Sequence, residues 1–230
     1  LSVFLLLCGV YFNASLTNYL SYVNPTESTA RVLGLNITSH VLVPYFKSML
    51  NVLIFIVPLI TMRMFSEEKK LQTYDLLISY PIGPWKILFG KFIGTVTIVL
   101  ALLFLSMSYS IITIWKGEPY LPIIYTTFLG YALFIIFYVA VGIVASLATE
   151  NQIVAAIICY VIILATNFIQ WLAFISPAPW DKFFANFLLL VHLESFRTGL
   201  IFVGDIVAYL GISLFFLLLG GLKIRRHYIR

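Results

Sequence analysis

Long apolar runs alternate with short polar interruptions along the whole of this 230-residue chain. A helix that crosses a bilayer needs about 20 predominantly apolar residues. Six stretches reach that length, at about 1–20, 44–64, 87–115, 121–147, 153–175 and 203–222. The first turns polar in its second half, through Asn13, Ser15, Thr17 and Asn18. The connections differ in kind. Residues 21–43 are mixed and polar, while KGEPY at 116–120 and ATENQ at 148–152 are short turns. Residues 176–202 open on SPAPW and continue as an amphipathic stretch too charged to span. No internal repeat or low-complexity segment divides the chain, so one transmembrane domain over 1–230 is expected. Runs of this length close their own backbone hydrogen bonds as helices, and the expected fold is an all-α bundle of six spans, not a barrel.

Composition agrees with the pattern. The chain is 62% hydrophobic and 10% charged, against roughly 25% charged residues in soluble domains. Cys8 and Cys159 sit in separate apolar runs and suggest neither a disulfide framework nor a metal site. The chain opens on Leu1 inside an apolar run, and a lead-in before it is expected to be missing.

Charge then orients the bundle. Six spans sort the connections into two sets. The set with residues 63–91, 148–152 and 223–230 holds nine bases and four acids; the other set holds five of each. The first set's excess equals the whole formal net charge of +5. Basic loops stay on the cytoplasmic side, so both chain ends are expected there. The tail with Lys223, Arg225 and Arg226 reads as a topology anchor that touches membrane lipid, with no nucleic-acid role.

One stretch does not fit an apolar chain. Residues 63–92 carry Arg63, Glu67, Glu68, Lys69, Lys70, Asp75, Lys86 and Lys91. A charge at mid-membrane costs about 2.5–3.5 kcal/mol on the insertion scale, so residues 65–86 are expected outside the hydrocarbon. Ser66 is a good N-cap, with Glu67 and Glu68 in the first turn that follows. Leu71, Tyr74, Leu77 and Ile78 recur three and four apart and predict one apolar helix face. Pro81, Gly83 and Pro84 then turn the chain, and Trp85 stands where an interfacial aromatic belongs. Two acids beside two lysines suit a protein partner better than an anionic lipid surface.

The insert SEEKKLQTYDLLISYPIGPWKILFGKF resembles the segment between the second and third spans of bacterial ABC-2 type permeases. SLATENQIVAA at 146–156 is similar to their fourth-to-fifth connection, and HLESFRTGLIFVGDIVAYLGISLFFLLL at 192–219 to their last external helix and sixth span. The subgroup it looks closest to is the gliding-motility type. The resemblance implies a type V exporter-like fold in the bacterial inner membrane. It also implies a coupling helix that rests on an ABC ATPase subunit, an external helix before the last span, and a dimer with a second permease copy or a paralogue. On this footing Glu67, Glu68 and Thr73 carry over as interface or gating residues, with Lys69, Lys70 and Asp75 beside them. The family often has Gly-Thr where this chain has Gln72-Thr73, which predicts a more regular helix here.

Nucleotide hydrolysis needs a phosphate-cradling loop of the form G-x-x-x-x-G-K-[ST]. The nearest string, WKILFGKF at 85–92, lacks the first glycine and the final hydroxyl residue. No cofactor is therefore expected on this chain, and ATP and Mg are assigned to a partner ATPase. No catalytic residue and no metal ligand set is expected either. The three histidines, His40, His192 and His227, fall on opposite sides of the membrane, where zinc ligands cannot converge. Polar residues within spans are candidates for a translocation path. Asn51 in the second span and Asn167 and Gln170 in the fifth are the preferred ones; interhelical hydrogen bonding is the alternative for all three. Two other functions stay open at this point: a membrane scaffold for a motility or secretion apparatus, and a secondary transporter, for which Asp205 is the nearest in-span acid.

Overall fold

A computed structural model describes residues 2–23, 37–116, 119–175 and 189–228. Among these residues every regular element is a helix. Helix α1 is Ser2–Val23. A single π-helical turn, Thr38–Leu42, runs into α2, Val43–Thr61. Two short helices follow, α3 (Arg63–Lys70) and α4 (Tyr74–Ser79). Then come α5 (Pro84–Lys116), α6 (Leu121–Ala148), α7 (Gln152–Ile175), α8 (Leu189–Arg197) and α9 (Val203–Tyr228). Five helical stretches are long and apolar enough to cross a membrane: Ser2–Ser21, Thr38–Lys70, Pro84–Trp115, Leu121–Ala148 and Val203–Arg226. In α7 the described apolar part is Gln152–Thr166. The chain is an all-helical integral membrane protein.

Local chemistry sets the helix ends. Pro84 opens α5 and Pro122 lies in the first turn of α6, where their missing N–H groups have no intrahelical partner to lose. Thr149 is extended and ends α6. Asn151 then caps α7: its Oδ1 accepts from the Ile153 N–H at 2.9 Å.

Helix α6 is the centre of the bundle. In its most apolar window 78% of the residues are buried, against 22% for α1. It packs on α2, α3, α5, α7, α8 and α9. Lipid gives helices no hydrophobic reason to associate, so close backbone approach and interhelical hydrogen bonds must do it. Both are present. A Cβ on Gly142 of α6 would lie 2.1 Å from Thr61 Oγ1 and 2.5 Å from Thr61 Cβ on α2. Gly130 of α6 is met in the same way by Phe196 of α8, at 2.8 Å. Tyrosine hydroxyls supply the hydrogen bonds, each donating to a main-chain carbonyl on another helix. Tyr131 reaches Phe46 O at 2.5 Å, Tyr45 reaches Ser106 O at 3.0 Å, Tyr109 reaches Leu5 O at 3.0 Å and Tyr160 reaches Phe55 O at 2.7 Å.

The insert departs from the helix expected at Ser66. Helix α3 starts at Arg63, one residue after α2 ends, so it continues the second span's direction. Ser66 is fully buried inside α3 and is no N-cap; its hydroxyl donates to the Met62 carbonyl. Glu67 and Glu68 therefore lie late in α3, and Lys69 and Lys70 fill its last turn, where cations are favoured. The apolar face expected from Leu71, Tyr74, Leu77 and Ile78 is broken: the last three lie on α4, and Leu71 lies in the turn before it. Tyr74 is buried, and Leu77 and Ile78 pack on the core, but Leu71 is 64% exposed.

The Gly142–Thr61 approach sets the spacing of α2 and α6. Gly142→Ala is expected to lower the unfolding free energy in detergent by about 1–3 kcal/mol through overpacking. A thermal melt unchanged by that substitution would remove this contact from the account.

Candidate functional site

The candidate site is the end of the bundle where α2 passes into α3. At Met62 the helix is interrupted, and Ser146 of α6 enters the gap. Its hydroxyl accepts from the N–H groups of Phe65 at 2.8 Å and Ser66 at 3.0 Å, and donates to Met62 O at 3.1 Å. The inserted hydroxyl satisfies main-chain groups that the interruption would otherwise leave unpaired. Next to it, Lys69 Nζ donates to the Leu147 carbonyl at 2.5 Å and stands 5.3 Å from the Tyr74 ring centroid. One side of α3 is thus fastened to the end of α6.

The other side faces α5. Lys91 Nζ lies 2.5 Å from Glu68 Oε1, donates to Met64 O at 2.5 Å, and sits 4.3 Å from the Phe65 ring centroid. The paired glutamates therefore differ: Glu68 is turned onto Lys91, and Glu67 remains half-buried on α3.

The exit from α3 is a Schellman turn. The Gln72 N–H donates to Lys69 O at 3.1 Å and the Thr73 N–H to Glu68 O at 2.9 Å. Gln72 takes φ 57°, the left-handed conformation that glycine favours. The more regular helix expected from Gln72-Thr73 is not formed: the break stands at that dipeptide without the glycine. Thr73 adds a side-chain bond to Glu68 O at 3.3 Å and leads into α4. Burial, followed by the charges of Glu68 and Asp75, raises the Tyr74 hydroxyl to about 12.

Beyond the turn the surface is apolar and open. Leu71 and Leu76 are each 64% exposed, Tyr80 60% and Ile82 41%. Lys70, Glu150, Asn151, Gln152 and Ile153 line a cavity of about 410 Å³ beside them, between α3 and the α6–α7 turn. Charged and apolar groups together make a platform built from two sequence segments.

The remaining expected residues lie elsewhere. Trp85 does more than mark an interface: its ring covers Gly221 of α9, where an added Cβ would come within 2.2 Å of the indole. Lys223, Arg225 and Arg226 are exposed at the end of α9. Asn51 is exposed on α2, and the side chains of Asn167 and Gln170 on α7 fall outside the described residues. At the opposite end of the bundle Asp205 is buried, with Oδ1 2.6 Å from His192 Nδ1. Ser146 and Lys91 were not among the residues expected to act. A lysine near the head of a span is a signal for Lys91; a single serine in SLATENQ gives none.

A family model described as ABC-2 family transporter protein matches residues 1–179 of the chain. No curated protein matches it.

The two turns should respond oppositely to substitution. Ser146→Ala leaves two buried N–H groups without their acceptor and is expected to cost about 1–3 kcal/mol. Gln72→Gly relieves the left-handed strain and is expected to gain up to about 1 kcal/mol. Hydrogen exchange of the Phe65 and Thr73 amides reads both; equal protection across wild type and the two variants would contradict this account of the turns.

Proposed function

Because the chain belongs to the ABC-2 transporter family, we propose that it is the permease subunit of an ATP-driven exporter. In this reading it has six spans and both ends in the cytoplasm. It pairs with a second permease copy or a paralogue, and the dimer carries two copies of a separate ABC ATPase subunit. ATP and Mg belong to that partner, and this chain is not an enzyme. The platform of α3 and α4 is the coupling element, and α8 is the external helix before the last span.

The observation that carries the reading is the two-sided character of this element. Its inner side is fastened to α5 and α6 through Lys91, Ser146 and the Leu147 carbonyl. Its outer side leaves Leu71 and Leu76 open beside charged neighbours. Glu67, Lys70, Thr73 and Asp75 stand on that outer side as interface groups, with Glu68 and Lys69 holding the helix from within. Such an element passes movement from a docked partner to the heads of the spans. Asn51, Asn167 and Gln170 belong to the translocation path in the same reading. An exposed asparagine on α2 would be costly against lipid and is better placed against a second permease across a polar path.

Two experiments test this. Purified from its native host under conditions that preserve membrane complexes, the wild-type chain should bring an ATPase subunit with it; recovery without one would overturn the reading. Leu71→Glu and Leu76→Glu together should abolish that co-purification without changing membrane insertion. Replacing Asn51 and Asn167 with Leu should leave the complex assembled and stop substrate movement; transport at the wild-type rate would remove these residues from the path.

A further inference from the structure

Lys91 is the one cation bound to Glu68 among the described residues, and every contact it makes there is with α3. An ammonium has three donors and no acceptor. Here one is directed at Glu68 Oε1 and one at the Met64 carbonyl, both at 2.5 Å. Residues 64 and 68 are four apart and so share one face of the helix. The grip is therefore on two points of one helix face, which fixes both the rotation of α3 and its height along α5. The second oxygen of Glu68 is buried with no other donor among the described residues, so the carboxylate depends on Lys91 alone. Thr95, one turn further along α5, supports the same contact. Its hydroxyl lies 3.2 Å from the Met64 sulfur and donates to the Lys91 carbonyl at 2.7 Å.

The neighbouring face of α3 is held by α6. Ser146 takes the N–H groups of Phe65 and Ser66, and the Leu147 carbonyl takes Lys69. Helix α3 thus carries two grips, which meet at Phe65. The α6 grip is neutral hydrogen bonding to backbone plus one lysine. The α5 grip is an ion pair with both side chains mostly shielded, at 21% and 30% exposure. Charge-assisted bonds of this kind are about twice as strong as neutral ones. Only the attachment to α5 includes an ion pair.

We propose that Lys91 is a positioning residue: it locks α3 to α5, so that displacement of the platform by a docked partner moves the third span with it. This inference rests on the reading of the platform as a coupling element. It adds which span receives the movement and which side chain delivers it.

The test uses the complete complex of permease and co-purified ATPase in lipid nanodiscs, with spin labels at positions 63 and 104, which are exposed on α3 and α5. Three forms are compared: wild type, Lys91→Arg and Lys91→Met. In wild type the separation of the labels should stay the same with and without trapped nucleotide. Lys91→Arg keeps a cation able to reach Glu68 and Met64, and should behave as wild type. Lys91→Met keeps the apolar stem and loses the charge. It should retain the ATPase at wild-type stoichiometry, show a nucleotide-dependent shift between the labels, and lose about tenfold in substrate-coupled turnover. A merely structural role would lower the yield of both variants and leave the label separation fixed. If Lys91→Met does not reach the membrane, Glu68→Gln breaks the same ion pair from the other side and is held to the same label and turnover outcomes. A wild-type chain without an ATPase would remove the coupling reading and this one together. A wild-type complex in which loss of the ion pair changes neither label separation nor turnover would overturn the Lys91 assignment alone.

Discussion

The organisation of this chain depends on one constraint: a helix interrupted at the edge of a membrane must have its freed backbone groups satisfied by another part of the protein. Water is scarce there, and an unpaired buried amide costs free energy comparable to a lost hydrogen bond. The interruption falls at Met62, and the hydroxyl of Ser146 answers it with two accepted bonds and one donated. That places the end of α6 directly behind the α2–α3 junction. The position of the charged platform follows, because α3 continues the second span past this contact. Gly142, one turn before Ser146 on the same helix, lets Thr61 of α2 approach closely enough for the contact to form.

The same helix organises the rest. Being enclosed on most sides, α6 has little surface left for lipid, and the neighbouring helices divide its faces among them. Where side chains are large, contact is through tyrosine hydroxyls that reach main-chain carbonyls; where they are small, backbones approach directly. Both devices suit a solvent in which apolar surface is not driven together. The two ends of the bundle differ accordingly. At one end α8 is packed on Gly130 and held near α9 by the His192–Asp205 pair. At the other, charges are pulled under α3, and apolar side chains are left outside.

Much of this was legible in the sequence. Five of the apolar runs fall in helices long and apolar enough to cross a membrane, because run length and proline placement are local signals. The charged insert was recognisable as a separate element for the same reason. Its internal geometry was not. Ser66 looks like an N-cap only if the preceding residues are taken as non-helical; the second span in fact continues through them with a one-residue break. The partners of that break, Ser146 and Lys91, lie 80 and 27 residues from Ser66 and Met64. No periodicity within the insert points to them. The paired glutamates illustrate the limit well. They are identical neighbours in sequence, and their difference comes entirely from the lysine that one of them meets.

Gln72 shows how the local and tertiary levels combine. A left-handed residue that is not glycine costs about 1–2 kcal/mol, and a local reading therefore favours continuing the helix through it. Continuation would carry α4 onward along the axis of α3. Tyr74 would then lose its buried place beside Phe65, where the ring centroids are 6.3 Å apart, and its contact with Lys69. Burying an aromatic side chain stabilises by about 1.5–3 kcal/mol, and the Schellman bonds to Glu68 O and Lys69 O add to it. The sum exceeds the backbone strain, so the turn forms with glutamine in the glycine position. Its geometry is held by packing from α3 and not by residue preference. The turn therefore belongs mechanically to α3, and α3 in turn to the spans that grip it.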